Sequence, residues 1–401
     1  MKEPIVALDF GASGLKLVIG YVLNNQPMVL YAATKMLDKA IIHGKIVDRE
    51  QVVAATKQLI AEASKRTGVK IERVVFALPA FGLEVFETIK ETNTVSNNDT
   101  VKRNDITNIL GMMRKEIVDV NNQIVAVVPE IYTIVDNGNQ YDVPPIGEKA
   151  TTIRMRAKVH TLPKQVVDDY ESVLGDAGLS LQKHFVDQYV LARLFENTAD
   201  VPKKYFLIDI GADVTHVSFV AHKQIYSSRF FHYASHDLNE MLCEKLGVSP
   251  AEAEQLKHEY GYDTRVLTFN PQIIKVTNQE GATQSYTIEK IREVANTYLE
   301  SFYQELSMVL ATIVKEQKNN PELLKVPFLF TGGGSRLQGL LDFMRTKLPM
   351  RTMGLLEADA FGARQPTYAT ALGLIKVYDE YATTIVDEKT YVPPVTRDTG
   401  V

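Results

Sequence analysis

Residues 205–220 read YFLIDIGADVTHVSFV: an apolar run, Phe206-Leu207-Ile208, meets Asp-Ile-Gly-Ala-Asp and gives way to a second extended run at Val217–Val220. This pattern predicts a buried strand, a tight turn and a returning strand. Near the N-terminus, Ile5–Leu8 leads in the same way into Asp9-Phe10-Gly11-Ala12-Ser13-Gly14, followed by an extended run over 15–22 and a turn at 24–27. The copies share Asp-[Phe/Ile]-Gly-Ala. Glycine beside a strand end lets backbone amides approach an anion, and an aspartate there can hold a divalent cation through its water shell. A single copy is more often an ordinary hairpin with a glycine turn. Two copies in register point instead to paired loops that grip the phosphates and magnesium of a nucleotide.

The bulk properties narrow the classes. A chain of 401 residues is long enough for two or three domains, each with its own core. With 45% hydrophobic and 23% charged residues it has the make-up of an ordinary globular protein, and a net charge of -5 without a Lys/Arg run argues against nucleic acid as a partner. The single cysteine, Cys243, excludes an internal disulfide and fits a reducing cytosol. No apolar run approaches the roughly 18 residues of a membrane span, and no signal sequence precedes Ile5, so a cytoplasmic protein is expected.

Along the chain, Asp48 with Gln51 three residues on caps a helix expected to run to about Arg66, with Gly68 at its end. Val74–Leu78 is a short buried strand. Residues 81–162 change texture, with strand-like alternation, a helix expected over 104–119 and further strands, and read as an inserted lobe. Helices over 163–174 and 187–195 return the chain to the first domain. Beyond the second hairpin come helices over 235–246 and 250–259, strands over 266–269 and 273–276, a long helix over 288–317, and a strand over 328–331. Glu254 and Lys257 share one helical face, the spacing also of a plain solvated pair. Thr331-Gly332-Gly333-Gly334-Ser335 links that last strand to a helix expected over 337–348, a place for phosphate or a flat base, or simply a tight turn. Tyr368–Gly373 starts a small-residue helix, and the tail over 387–401 is polar with adjacent prolines.

Taken together, these features resemble the actin-like ATPase superfamily, and within it the FtsA family of bacterial division proteins. The resemblance is carried by IIHGKIVD (41–48), PEIYTIVD (129–136), RMRAKVH (154–160), AEQLKHEYG (253–261), TGGGSRLQG (331–339) and YATALGL (368–374), in family order. It implies an α/β actin-like fold of two ribonuclease-H-like domains around a nucleotide cleft, each with an inserted subdomain. The divisions expected are 1–80 plus 163–200, the insertion 81–162, then 201–234 plus 327–380, the second-half lobe 235–326, and a loose tail 381–401.

The same resemblance implies ATP and Mg2+ as cofactors. It puts Asp9, Gly11, Ser13 and Lys16 on the first phosphate loop and Asp209, Gly211, Asp213 and Thr215 on the second, with Asp9 and Asp209 holding the metal through water. Glu254 and Lys257 would touch ribose and purine, Gly332, Gly333 and Gly334 would lie on the adenine side, and Gln188 falls where actin orients a water. The partners implied are the FtsZ C-terminal tail on the lobe at 235–326 and further copies of the chain in filaments, at the inner face of the cell membrane at the division site. Three departures stand out. Where FtsA has consecutive glycines this chain has Ala212-Asp213, and a carboxylate aimed at phosphate repels it unless Asp213 turns outward or helps hold the metal, so the chain is expected to be at most a weak ATPase. Past Asp379 the sequence shows no basic, aromatic amphipathic helix, so the membrane link is expected through a partner or through a helix removed from the chain. VDQYVLARLF (186–195) and Ser228-Arg229 resemble instead the PilM family, cytoplasmic adaptors of type IV pili that bind a short peptide of a membrane partner. A small-molecule kinase of the same fold is the remaining alternative, and no base for phosphoryl transfer is legible.

Overall fold

The computed structural model describes residues 3–95, 98–116, 118–196, 198, 200–262, 273–277, 283–358 and 360–386. In the first half β1 (Ile5–Gly11) folds back antiparallel on β2 (Gly14–Leu23), which pairs antiparallel with β3 (Gln26–Met36). A small hairpin of β4 (Ile41–Ile42) and β5 (Lys45–Ile46) follows, tipped by His43-Gly44. The caps of α1 (Arg49–Thr67) act as their residue types predict: the Asp48 carboxylate accepts the Gln51 N–H at 2.9 Å, and Gly68 ends the helix at φ 70°. β6 (Arg73–Leu78) then lies parallel to β1.

The insertion contains β7 (Glu84–Asn93), α2 (Arg103–Met113), β8 (Asn122–Ile134), β9 (Gln140–Tyr141) and β10 (Thr152–Pro163). Its sheet, in the order β7-β10-β8-β9, encloses a core of its own, including Ile109, Met113, Ile153 and Met155. α2 is shorter than the expected 104–119, because Lys115 and Glu116 donate to Met112 and Met113 in a tightened last turn and the Glu116 carboxylate is held by Thr88 and Lys90 of β7. The chain returns through α3 (Lys164–Asp176), β11 (Ser180–Val186) and α4 (Asp187–Phe195). β11, which the sequence pattern does not announce, completes the first sheet in the order β11-β6-β1-β2-β3. As an edge strand exposed along Ser180 and Leu181, it needs no continuous apolar run.

The second half repeats this plan. β12 (Lys204–Ile210), β13 (Thr215–Ala221) and β14 (Gln224–Phe231) form the antiparallel part, and the lobe that follows holds α5 (Ser235–Leu246), α6 (Pro250–Glu259), β15 (Ile273–Thr277), β16 (Thr283–Thr287) and α7 (Ile288–Glu316). β17 (Phe328–Thr331), α8 (Leu340–Lys347), β18 (Met353–Leu355) and α9 (Ala369–Val386) close the chain. The sheet order β14-β13-β12-β17-β18 matches the first sheet strand for strand, antiparallel up to β12 and parallel beyond it. Duplication of the Asp-x-Gly hairpin is therefore duplication of a whole α/β unit. The expected helix over 337–348 begins only at Leu340, behind a 3-10 turn at Gly333–Arg336. The strand expected at 266–269 and the tail from 387 onward lie outside the described residues.

One expected division is corrected by α9. Placed with the second half by sequence position, it buries Ala371, Leu372, Leu374 and Ile375 in the core that holds Leu8, Val18 and Val190 of the first half. Its small residues permit a close crossing with α4: a Cβ at Gly373 would stand 2.6 Å from Val190 Cγ1 and 2.7 Å from its carbonyl oxygen. Gly373→Ala should therefore lower stability by about 1–3 kcal/mol in urea unfolding, reversing the ~1 kcal/mol that alanine ordinarily gains over glycine inside a helix. No helix among the described residues is long and apolar enough to cross a membrane.

Candidate functional site

Where the two hairpins face each other they line a cleft of about 690 Å³, within the roughly 300–1,000 Å³ typical of ligand sites. Asp9, Gly11, Ser13 and Lys16 line it from the first hairpin, Asp209, Gly211 and Asp213 from the second, Glu254 and Lys257 from α6, and Gly332, Gly333 and Gly334 from the loop after β17. The folding reason is the register. Asp9 pairs with Lys16 and Asp209 with His216 at the turn ends of the hairpins, so each aspartate leaves the buried strand where the turn begins.

The electrostatics are those of a site short of positive charge. Lys16 Nζ lies 4.0 Å from Asp9 Oδ2 and fills the space a Cβ on Gly11 would need. Burial raises the Asp9 carboxyl above the usual range against the pull of Lys16. Asp209 is pushed up to about 6, first by burial and also by Asp9, while the hydrogen bond from Gln188 and the charge of Lys16 oppose the shift. Asp187, which the sequence pattern passes over, also lines the cleft, and burial with the charges of Asp209 and Asp9 raises it well above an ordinary aspartate. Its only advance signal is its place as the first residue of α4 after the buried Phe185-Val186. Three carboxylates that are costly to ionise together would be eased by a divalent cation held through its water shell. No group of three or more His, Cys, Asp or Glu among the described residues could hold a metal ion by itself.

Two expected site residues do not line the cleft. Gln188 is fully buried behind Asp209: its Nε2 donates to Asp209 Oδ2 at 3.0 Å, and its Oε1 accepts from Ser218 Oγ at 3.2 Å. It orients the aspartate and is not turned toward a water in the cleft. Thr215 is fully buried and donates its hydroxyl to the Tyr233 carbonyl at 2.8 Å. Asp213 does face the cleft, but its Oδ2 accepts the His43 N–H at 2.7 Å, so the carboxylate is turned to the opposite wall.

Glu254 and Lys257 form a built pair. Lys257 Nζ donates to Glu254 Oε2 at 2.7 Å and to Ser235 Oγ at 2.9 Å, and Asn239 Nδ2 donates to the same Glu254 oxygen at 2.5 Å. Burial works to raise Glu254, but its bonds to Lys257 and Asn239 bring it below the usual value; burial lowers Lys257 against the pull of Glu254. The glycine loop has mixed causes. Gly332, at φ 82°, has no room for a Cβ beside Asp209, and Gly334 has none beside Ile210, whereas Gly333 meets only Thr367 at 3.6 Å. Packing thus requires two of the three glycines, and the bare backbone they leave is open to the cleft.

Two matched α/β units facing each other across paired Asp-x-Gly loops give this chain an actin-like fold. The same architecture, at TM-score 0.60 and 18% identity over 94% of this chain and 98% of the other, occurs in the PilM-PilN type IV pilus biogenesis complex. It recurs in MreB5 of Spiroplasma citri bound to AMPPNP, at TM-score 0.54 and 12% identity over 96% of this chain and 98% of that one. Within that fold the chain is similar to FtsA: residues 206–373 match the family model for cell division protein FtsA. The cell division protein FtsA of Streptococcus pneumoniae is 22% identical over 373 residues, 92% of this chain and 78% of that protein.

Proposed function

We propose that the chain is an FtsA-like cytoskeletal protein of bacterial cell division that takes ATP and Mg2+ into the cleft, self-associates, and holds the FtsZ C-terminal tail on the lobe at 235–326. It works in the cytoplasm at the inner face of the division-site membrane, to which it is linked directly or through a partner. The observation that carries this reading is the meeting of Asp9, Lys16, Asp187 and Asp209 in one cleft, in a chain that matches FtsA over 206–373.

In this reading Lys16 supplies a cation beside the phosphates, and Asp9 and Asp209 hold the waters of the metal. Magnesium, when bound, neutralises charge that these carboxylates and the phosphates would otherwise set against each other. Glu254 and Lys257 face ribose and purine, and the backbone of Gly332, Gly333 and Gly334 borders the base. Gln188 fixes the Asp209 carboxylate, which leaves Asp187 as the carboxylate placed to hold a water for hydrolysis; at most a weak ATPase follows. Titration with ATP in the presence and absence of Mg2+ should give saturable, magnesium-dependent binding, and no binding at millimolar ATP would reduce the protein to a nucleotide-free scaffold. An FtsZ C-terminal peptide should bind by both calorimetry and anisotropy. Failure in both, with capture of a cytoplasmic peptide from a pilus membrane protein, would establish the PilM-like adaptor instead.

A further inference from the structure

The cleft has cross-contacts that nucleotide binding alone does not explain. The two-residue turn between β4 and β5 places His43 at φ 48° and Gly44 at φ 70°, both left-handed, as a tight hairpin turn demands. Gly44 is packed so closely on the Phe81 ring that no Cβ would fit, and its carbonyl accepts the Tyr170 hydroxyl at 3.0 Å. The turn is thereby anchored to the first half. From it His43 reaches the second half twice: its N–H donates to Asp213 Oδ2 at 2.7 Å, and its ring Nδ1 lies 3.2 Å from the Asp213 carbonyl oxygen. Aromatic contacts surround this pair. The His43 ring is 4.2 Å from that of His232, and Phe81 lies 4.4 Å from Phe230 and 5.9 Å from His216.

We infer that His43 and Asp213 form a clasp across the phosphate end of the cleft that sets how fast nucleotide enters and leaves. The inference rests on the nucleotide reading above. Asp213 is four positions beyond Asp209, its side chain is 18% exposed, and its carboxylate is satisfied by an amide of the opposite wall. A hydrogen bond to an ionised acceptor is among the stronger kinds, and separating the halves must break this one. A ligand that passes through the open state exchanges faster in both directions when that state is more populated, with little change in equilibrium affinity. Asp213 is thus a positioning residue that acts through the gap between the halves, and the departure from the FtsA glycines acquires a cause.

The test is stopped-flow binding of a fluorescent ATP analogue with Mg2+ to wild type, Asp213→Asn and Asp213→Ala, together with hydrogen exchange of residues 41–46 in the nucleotide-free protein. Asparagine keeps an oxygen that accepts the His43 amide, whereas alanine does not. Asp213→Ala should speed association and release each by about tenfold or more, the scale of one charge-assisted hydrogen bond, and should remove the protection of the His43 amide; Asp213→Asn, which keeps a neutral and weaker acceptor, should fall between wild type and Asp213→Ala in both rates and keep part of the protection. Slower release and tighter binding in both variants would mean that Asp213 acts by repelling phosphate, and would overturn the clasp, as would unchanged rates in Asp213→Ala. If no variant binds nucleotide, the nucleotide reading fails by itself. The exchange data then decide the clasp: protection lost only in Asp213→Ala supports it, and protection unchanged overturns it.

Discussion

Asp209→Asn is expected to raise the unfolding temperature of the nucleotide-free protein at pH 7.5 and to remove the further rise that Mg2+ and ATP give the wild type. The Asp209 carboxyl is pushed up to about 6 in the folded chain, chiefly by burial, with Asp9 adding to the shift and Gln188 and Lys16 resisting it. In the unfolded chain it returns to the ordinary aspartate value of 3.8. Between those values the folded state holds the proton and the unfolded state does not, so stability falls as pH rises from about 4 to about 6 and stays lower above that. The ceiling on this penalty is about 3 kcal/mol, since each tenfold change in the acid's ionisation is worth about 1.36 kcal/mol; partial exposure of the cleft brings the expected gain of the asparagine variant to about 1–2 kcal/mol. An asparagine keeps an oxygen for the Gln188 amide, so the bond behind it survives. Thermal melts at pH 4 and pH 7.5 with and without Mg2+ and ATP check both parts. A variant that gains as much at pH 4 as at pH 7.5 would show that ionisation of Asp209 is not the cause.

That site was legible to the degree that its residues lie on strand ends. Asp9 and Asp209 follow from an apolar run that stops at an Asp-x-Gly, and the same run fixes the strand pairing that aims them into one cleft. The chain order of hairpin, helix, strand and insertion is likewise written in periodicity and caps, as Asp48 and Gly68 show for α1. What stayed hidden depends on contacts distant in sequence. Gln188 reads as a water-orienting residue only until Ser218 and Asp209 are found to occupy its amide. Asp213 reads as a phosphate contact only until His43, 170 positions away, is found at its carboxylate. β11 hides because an edge strand tolerates the polar run Gln182-Lys183-His184, and α9 hides because nothing local says which sheet a small-residue helix will cover.

The second large effect is expected where α9 meets α4. Lys376 Nζ, 2% exposed, donates to the Arg193 carbonyl at 2.6 Å and to Glu196 Oε1 at 3.2 Å, while Arg193 Nη1 lies 2.8 Å from Glu196 Oε2 and Nη2 lies 2.5 Å from Glu380. Glu196 is thus a nearly buried side chain shared by Lys376 and Arg193 of this interface, with the exposed Lys223 Nζ 3.9 Å from its Oε1. Burial lowers Lys376, and Glu196 and Glu380 oppose that shift. Glu196→Leu removes the shared anion and leaves Lys376 beside Arg193 in the interior, which should cost about 3–5 kcal/mol. Lys376→Met leaves Glu196 with Arg193 and keeps the volume of the chain, so it should cost much less, about 1–2 kcal/mol. The double variant should be more stable than Glu196→Leu alone, because the stranded ammonium is gone. Urea unfolding of the four proteins gives the coupling directly. Additive losses would mean that the lysine escapes to solvent when its partner is removed, and that α9 is held on the first half by its apolar face and the close approach at Gly373 alone.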